Sequence, residues 1–178
     1  MRDATGTEDV LPRFLDFEAT GLHPDSYPIE VAWSDAAGEV ESCLIRPEED
    51  WLDLPWDANA EAMHGISHER VMHEGQPAAE VCARLDDALR GCVVYCDAVT
   101  YDRMWLATLF EVVDRSPAFE LRDVEDVIQP TDRREVSLLW REHLRSAALL
   151  ENRGLRLHRA ADDVRLLIAM YELARAGC

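Results

Sequence analysis

Asp16 and Glu18 stand two residues apart in Phe14-Leu15-Asp16-Phe17-Glu18-Ala19-Thr20-Gly21-Leu22. If 13–18 is a strand, its side chains alternate between faces, so the two carboxylates emerge together while Leu15 and Phe17 point into a core. Two oxygen donors from one strand, with Gly21 free to take positive φ and turn the chain sharply, are the layout of a hard-cation site. Two further acids fall where a neighbouring element could bring them to the same point. Asp102 opens a helix after Asp97-Ala98-Val99-Thr100-Tyr101, and Asp163 follows His158-Arg159-Ala160-Ala161-Asp162 in the last helix. Each alone also reads as a helix cap or a solvated charge. The chemistry depends on their being brought together.

The elements that must do this can be read from periodicity. The runs 28–34 and 39–46 are β-rich and joined by Asp35-Ala36-Ala37-Gly38, which predicts a hairpin. The acidic loop 47–56 is followed by a helical turn at 57–63, and Ser67 is placed to cap another. Helices are expected over 76–90, ended by Gly91, and over 100–113, 135–150 and 158–176. The apolar run 92–96 predicts a buried strand, 118–121 a short one, and 123–128 a brief helical piece. This order fits an α/β domain with a mixed central sheet covered on both sides.

At 178 residues the chain suits one domain, 1–178, with 1–11 expected as a short flexible leader. No apolar run approaches the roughly 20 residues that span a bilayer. The polar, acidic start lacks the apolar centre of a secretory signal, so a cytoplasmic protein is expected. Five cysteines without paired Cys-x-x-Cys spacing predict reduced, buried thiols. The net charge of −18 disfavours tight non-specific binding to long nucleic acid. All 18 cations are arginine, and residues 1–90 hold 21 acids against 6 of them. The one basic stretch is 133–159, with seven arginines (133, 134, 141, 145, 153, 156, 159), readable as a solvated helical face or as a phosphate cradle.

Three ordered motifs carry a family resemblance. Asp16-x-Glu18 followed by Thr20-Gly21-Leu22, the segment His64-Gly65-Ile66, and His158-x-Ala160 with Asp163 five residues after the histidine resemble the DEDDh 3′–5′ exonucleases. That family has a ribonuclease H-like fold and includes polymerase proofreading exonucleases, ribonuclease T and oligoribonuclease. The second family motif, Asn-Ala-x-aromatic-Asp, is altered here: Asp97 replaces the Asn, and one extra residue separates Ala98 from Tyr101-Asp102. Asp102 remains the expected ligand with Asp97 as its rival, and Asp162 similarly rivals Asp163.

The resemblance implies a ribonuclease H-like, mixed five-stranded sheet flanked by helices. It implies that Asp16, Glu18, Asp102 and Asp163 hold two Mg²⁺ or Mn²⁺ ions, which neutralise phosphate charge and stabilise the leaving oxyanion. Without cations, two carboxylates about 5 Å apart repel by roughly 3 kcal/mol at an effective dielectric near 20. His158 would be the general base, as imidazole is half-available at about pH 6.5. Ala19 and Thr20 would meet the terminal 3′-hydroxyl and Leu22 the terminal base, with Gly21, His64 and Tyr101 also in the substrate site. The expected function is 3′–5′ hydrolysis of single-stranded ends, short RNA or DNA, to 5′-mononucleotides. The second reading, motivated by the altered motif, is an impaired adaptor that binds nucleic-acid ends or a protein partner. Dimers occur in the family, so the resemblance also allows a homodimer.

Overall fold

The computed structural model describes residues 10–128, 138–152 and 154–176. Strand β1 (Arg13–Ala19) is its spine. It pairs antiparallel with β2 (Pro28–Ser34), which pairs antiparallel with β3 (Val40–Arg46). Between β2 and β3, Asp35 Oδ1 accepts the N–H groups of Ala37 (2.8 Å) and Glu39 (2.9 Å), and Gly38 takes φ +85°. That is the expected hairpin. Helix α1 (Ala58–His64) is capped by Asp57 and α2 (His68–Glu74) by Ser67, whose hydroxyl accepts the Arg70 N–H at 3.2 Å.

The sheet has six strands rather than five. Gln76–Pro77 forms an edge strand, β4, parallel to β3, short because Pro77 has no N–H to extend a ladder. Helix α3 (Ala78–Leu89) leads to β5 (Val93–Cys96), parallel to β1, and α4 (Val99–Glu111) leads to β6 (Glu120–Asp123), parallel to β5. The sheet order is β4-β3-β2-β1-β5-β6. Strand β6 begins two residues later than the sequence suggests. The Ala118 N–H donates to Asp86 Oδ1 at 2.7 Å and its carbonyl accepts from Gly91, so its backbone is already engaged. A 3₁₀ turn (Val124–Asp126) follows, then α5 (Leu138–Glu151) and α6 (Ala160–Ala176). Of the expected leader, residues 1–9 lie outside the described residues, and Leu11 is tied by its N–H to the Ala36 carbonyl. Among the described residues no helix is long and apolar enough to cross a membrane.

Both faces of the sheet are covered. Leu15 and Phe17 join one core with Ile29, Val31 and the helices α3 and α4. Phe14, on the other face, joins a second core with Leu144 and Ala148 of α5 and Val164, Leu167 and Met170 of α6. Asp16 and Glu18 share the face of Phe14, so they emerge where α6 begins. The start of α6 is fixed there by Glu30 on β2, which is 3% exposed and lies opposite Glu18 in the strand register. Its carboxylate accepts from Arg159 twice (2.6 and 3.1 Å) and from the Ala160 N–H at 3.1 Å.

Candidate active site

Oxygens of Asp16, Glu18 and Asp163 lie within 4.8 Å of one another. Strand alternation supplies the first two, and the Glu30–Arg159 pair supplies the third by seating the α6 N-terminus. The Asp163 carboxylate accepts the Arg159 N–H at 3.1 Å, while the Asp16 and Glu18 carboxylates accept no hydrogen bond among the described residues. Burial, reinforced by Asp102, Asp163 and Glu18, pushes the Asp16 carboxyl well above its usual range. Burial, then Asp163 and Glu30, push Glu18 up to about 8, against the opposing pull of Arg159. Asp163 is also raised by burial. Three crowded, poorly hydrogen-bonded carboxylates that resist losing their protons fit a hard divalent cation, which would take the protons' place.

Asp102 is 1% exposed and stands outside that group of three, though it is the largest charge acting on Asp16. Its Oδ2 accepts the Ala98 N–H at 3.3 Å, and burial pushes it up to about 7. The two rivals are otherwise engaged. Asp97 is ion-paired with Arg141 and, at 3.1 Å, with Arg145. Asp162 accepts from the Arg156 N–H at 3.0 Å and from Arg165 at 2.8 Å.

A cavity of about 290 Å³ opens over the carboxylates. Ala19, Gly21, Leu22, His64 and His158 line it with all four expected ligands, and so do Asp97, Met63, Trp105 and Arg145. His158 precedes α6 as an exposed residue at φ +62°, not as the helical residue that periodicity predicts. A side chain in this left-handed region is uncommon. Gly21 is a correction of a different kind: its φ is not positive. What it must lack is a Cβ, which would lie 2.9 Å from His23 Cδ2 and 3.2 Å from Asp57 Cβ.

His64 is 2% exposed, and its Nδ1 accepts the Ile66 N–H at 3.0 Å. The ring proton therefore sits on Nε2, which is buried near the Ala19 backbone without a hydrogen bond of good geometry; burial lowers the pKa. Thr20 and Tyr101 do not line the cavity. Thr20 is fully buried, donating its N–H to the Tyr27 carbonyl (3.1 Å) and accepting from the Asp57 N–H (2.8 Å), so it fixes the turn beneath. Tyr101 is exposed and stacks on Trp105, a lining residue, with centroids 5.7 Å apart. Sequence reasoning missed Met63, Trp105 and Arg145 as individual wall residues. The available signals were adjacency to His64 for Met63, the α4 periodicity for Trp105, and the basic stretch for Arg145.

No protein-family model matches this sequence, and no curated protein does. Solved structures do. Escherichia coli exonuclease I in complex with a dA16 oligonucleotide superposes with a TM-score of 0.70 at 22% identity, over 94% of this chain and 41% of that one. The zinc-bound E. coli exonuclease I–ssDNA complex gives 0.66 at 19%, over 92% and 40%. A moderately thermophilic exonuclease I from Methylocaldum szegediense gives 0.66 at 18%, over 92% and 40%. The chain thus spans about two fifths of the length of these proteins, and over that span it has the ribonuclease H-like α/β fold of exonuclease I.

Proposed function

We propose that the protein is a divalent-metal-dependent 3′–5′ exonuclease acting in the cytoplasm on single-stranded nucleic-acid ends and releasing 5′-mononucleotides. The observation that carries this reading is the group Asp16, Glu18 and Asp163 within 4.8 Å, facing a cavity that His158 also lines. It is supported by likeness to exonuclease I structures described as bound to single-stranded DNA, one with zinc. Asp16, Glu18, Asp163 and Asp102 would hold two Mg²⁺ or Mn²⁺ ions, which supply charge neutralisation at the phosphate and activation of water.

The chain's own residues do the rest. The His158 imidazole takes the proton of the attacking water, and its exposed position lets that proton leave to solvent. Exposed Leu22 and Met63 offer an apolar rim to the terminal base, and the Tyr101–Trp105 stack offers a flat face to the next. The backbone of Ala19 and Gly21 and the His64 Nε2–H are placed to meet the terminal sugar, with Thr20 shaping the turn. Such contacts read shape and stacking, not sequence. The net charge of −18 favours short substrates, so the slope of log K against log salt should stay below that of about four phosphates at roughly 0.7 each.

The test is hydrolysis of 5′-labelled single-stranded RNA and DNA with Mn²⁺, beside Asp16→Asn, Asp102→Asn and His158→Ala proteins. A ladder shrinking from the 3′ end and abolished by each change is the expected result. Intact label at every neutral and mildly alkaline pH overturns the reading. It would favour the adaptor, which has one observation of its own: Asp102 stands apart from the other three carboxylates. Calorimetric titration with Mn²⁺ separates the two, since the exonuclease binds two ions.

A further inference from the structure

The basic stretch 133–159 resolves into residues with different employments. Arg133, Arg134 and Arg153 lie outside the described residues. Arg159 is locked onto Glu30, and Arg156 reaches the His64 carbonyl at 3.5 Å. Arg141 has three acceptors: the Asp97 carboxylate, the Asp97 carbonyl at 2.6 Å and Glu125 at 3.2 Å. Arg145 differs from all of these. It is the one arginine among the described residues that lines the cavity, and its single hydrogen bond there is Nη1 to Asp97 Oδ2 at 3.1 Å.

Arg145 is therefore the one permanent cation among the described lining residues, in a cavity that Asp16, Glu18, Asp97, Asp102 and Asp163 also line. A phosphate entering it is repelled by five carboxylates and attracted by one guanidinium. Guanidinium is planar, always charged and matched to phosphate oxygens two at a time. Its present partner can be exchanged: one hydrogen bond at 3.1 Å joins it to a carboxylate that Arg141 also holds. Asp97 would not be left bare, because Arg141 keeps hold of both its carboxylate and its carbonyl.

We propose that Arg145 binds a phosphate of the substrate's terminal linkage, and that Asp97 holds its guanidinium at the cavity wall until that phosphate replaces the carboxylate. The substrate's identity here rests on the exonuclease reading. Arg145 is thus a substrate-binding residue and Asp97 a positioning residue.

The test measures binding of a short 5′-fluorescein oligothymidylate to the full chain by anisotropy, with Ca²⁺ in place of Mn²⁺, and turnover separately with Mn²⁺. Arg145→Ala should weaken binding about tenfold and lower the salt slope by about 0.7, with KM raised and kcat within about twofold. Arg145→Lys, which keeps the charge without the fork, should recover part of the loss and guards against misfolding of the alanine protein. Asp97→Asn should tighten binding about threefold by releasing Arg145. That gain should vanish in the Arg145→Ala background, because the effect runs through the arginine. Unchanged binding by folded Arg145→Ala protein, or a gain from Asp97→Asn that persists in the double variant, overturns the inference. Wild-type protein that binds the oligonucleotide but leaves it uncut overturns the exonuclease reading and leaves these arms in force. Wild-type protein that binds nothing overturns both.

Discussion

Three pairs of neighbouring acids in this molecule meet opposite fates. Glu18 and Glu30 face each other across β1 and β2; Asp97 and Asp102 flank the start of α4; Asp162 and Asp163 are adjacent in α6. In each pair one carboxylate is taken by arginine: Glu30 by Arg159, Asp97 by Arg141 and Arg145, Asp162 by Arg165. The other makes no ion pair with arginine among the described residues, and burial raises its pKa. With Asp16, the members of these pairs left without an arginine are the four expected ligands, and all four line one cavity. An arginine is a permanent counter-ion that cannot be exchanged for a metal. What separates a structural acid from a candidate ligand here is whether that counter-ion has been built in.

The largest effect should come from comparing the two classes directly. Asp16→Asn or Asp163→Asn should lower kcat/KM by roughly a thousandfold, the scale of losing a group aimed at developing charge. Asp162→Asn, one residue from Asp163, should cost no more than about threefold, because it removes only an exposed pair and a loop hydrogen bond. Steady-state rates on a labelled oligonucleotide decide it. Equal losses at Asp162 and Asp163 would break the division.

The division was only partly legible in the sequence. Asp16 and Glu18 were, because a strand's period of two is short-range and dictates which side chains share a face. The hairpin, the Ser67 cap and the order of strands and helices follow from similarly local chemistry. Asp163 over Asp162 rested on the resemblance, and spacing alone could not have decided it. At Asp97 the deciding fact is long-range, since Arg141 reaches it across 44 residues; at Asp162 the partners are near in sequence, the Arg156 N–H and the Arg165 guanidinium, but spacing does not say which of two adjacent acids they take. Arg159, one of seven arginines in a basic run, gave no sign that Glu30 lies beneath it. His158 was found by motif, but its left-handed backbone was not, since periodicity carried the helix two residues too far.

A stability measurement sharpens the contrast between Glu30 and Glu18. Arg159→Ala leaves Glu30 buried and unpaired, which should cost about 3 kcal/mol and lower Tm by roughly 10 °C for a chain of this size. Arg159→Lys should recover part of this. Glu18→Gln should do the reverse in EDTA, raising Tm by removing one of the repelling charges. A scanning-calorimetry comparison in EDTA reads both signs, and equal destabilisation by the two changes would mean that Glu18 too is a structural ion.

A profile of Tm against pH tests the four acids without an arginine together. Each raised carboxyl holds its proton more tightly in the folded chain than in the unfolded one. From about pH 4, where carboxylates in the unfolded chain ionise, up to the values of about 7 at Asp102 and about 8 at Glu18, the folded state carries more protons. Stability therefore falls as pH rises through that window. This is opposite in sign to a carboxylate whose pKa an arginine lowers, which adds stability above the unfolded value. Mg²⁺ or Mn²⁺ that binds the folded site should replace the protons and flatten the profile between about pH 6 and 8, with the largest rise in Tm over EDTA at the alkaline end. A profile in EDTA that rises through the window would show that these acids have counter-ions within the protein after all. A falling profile that metal does not flatten would show that the cluster holds protons and no cation.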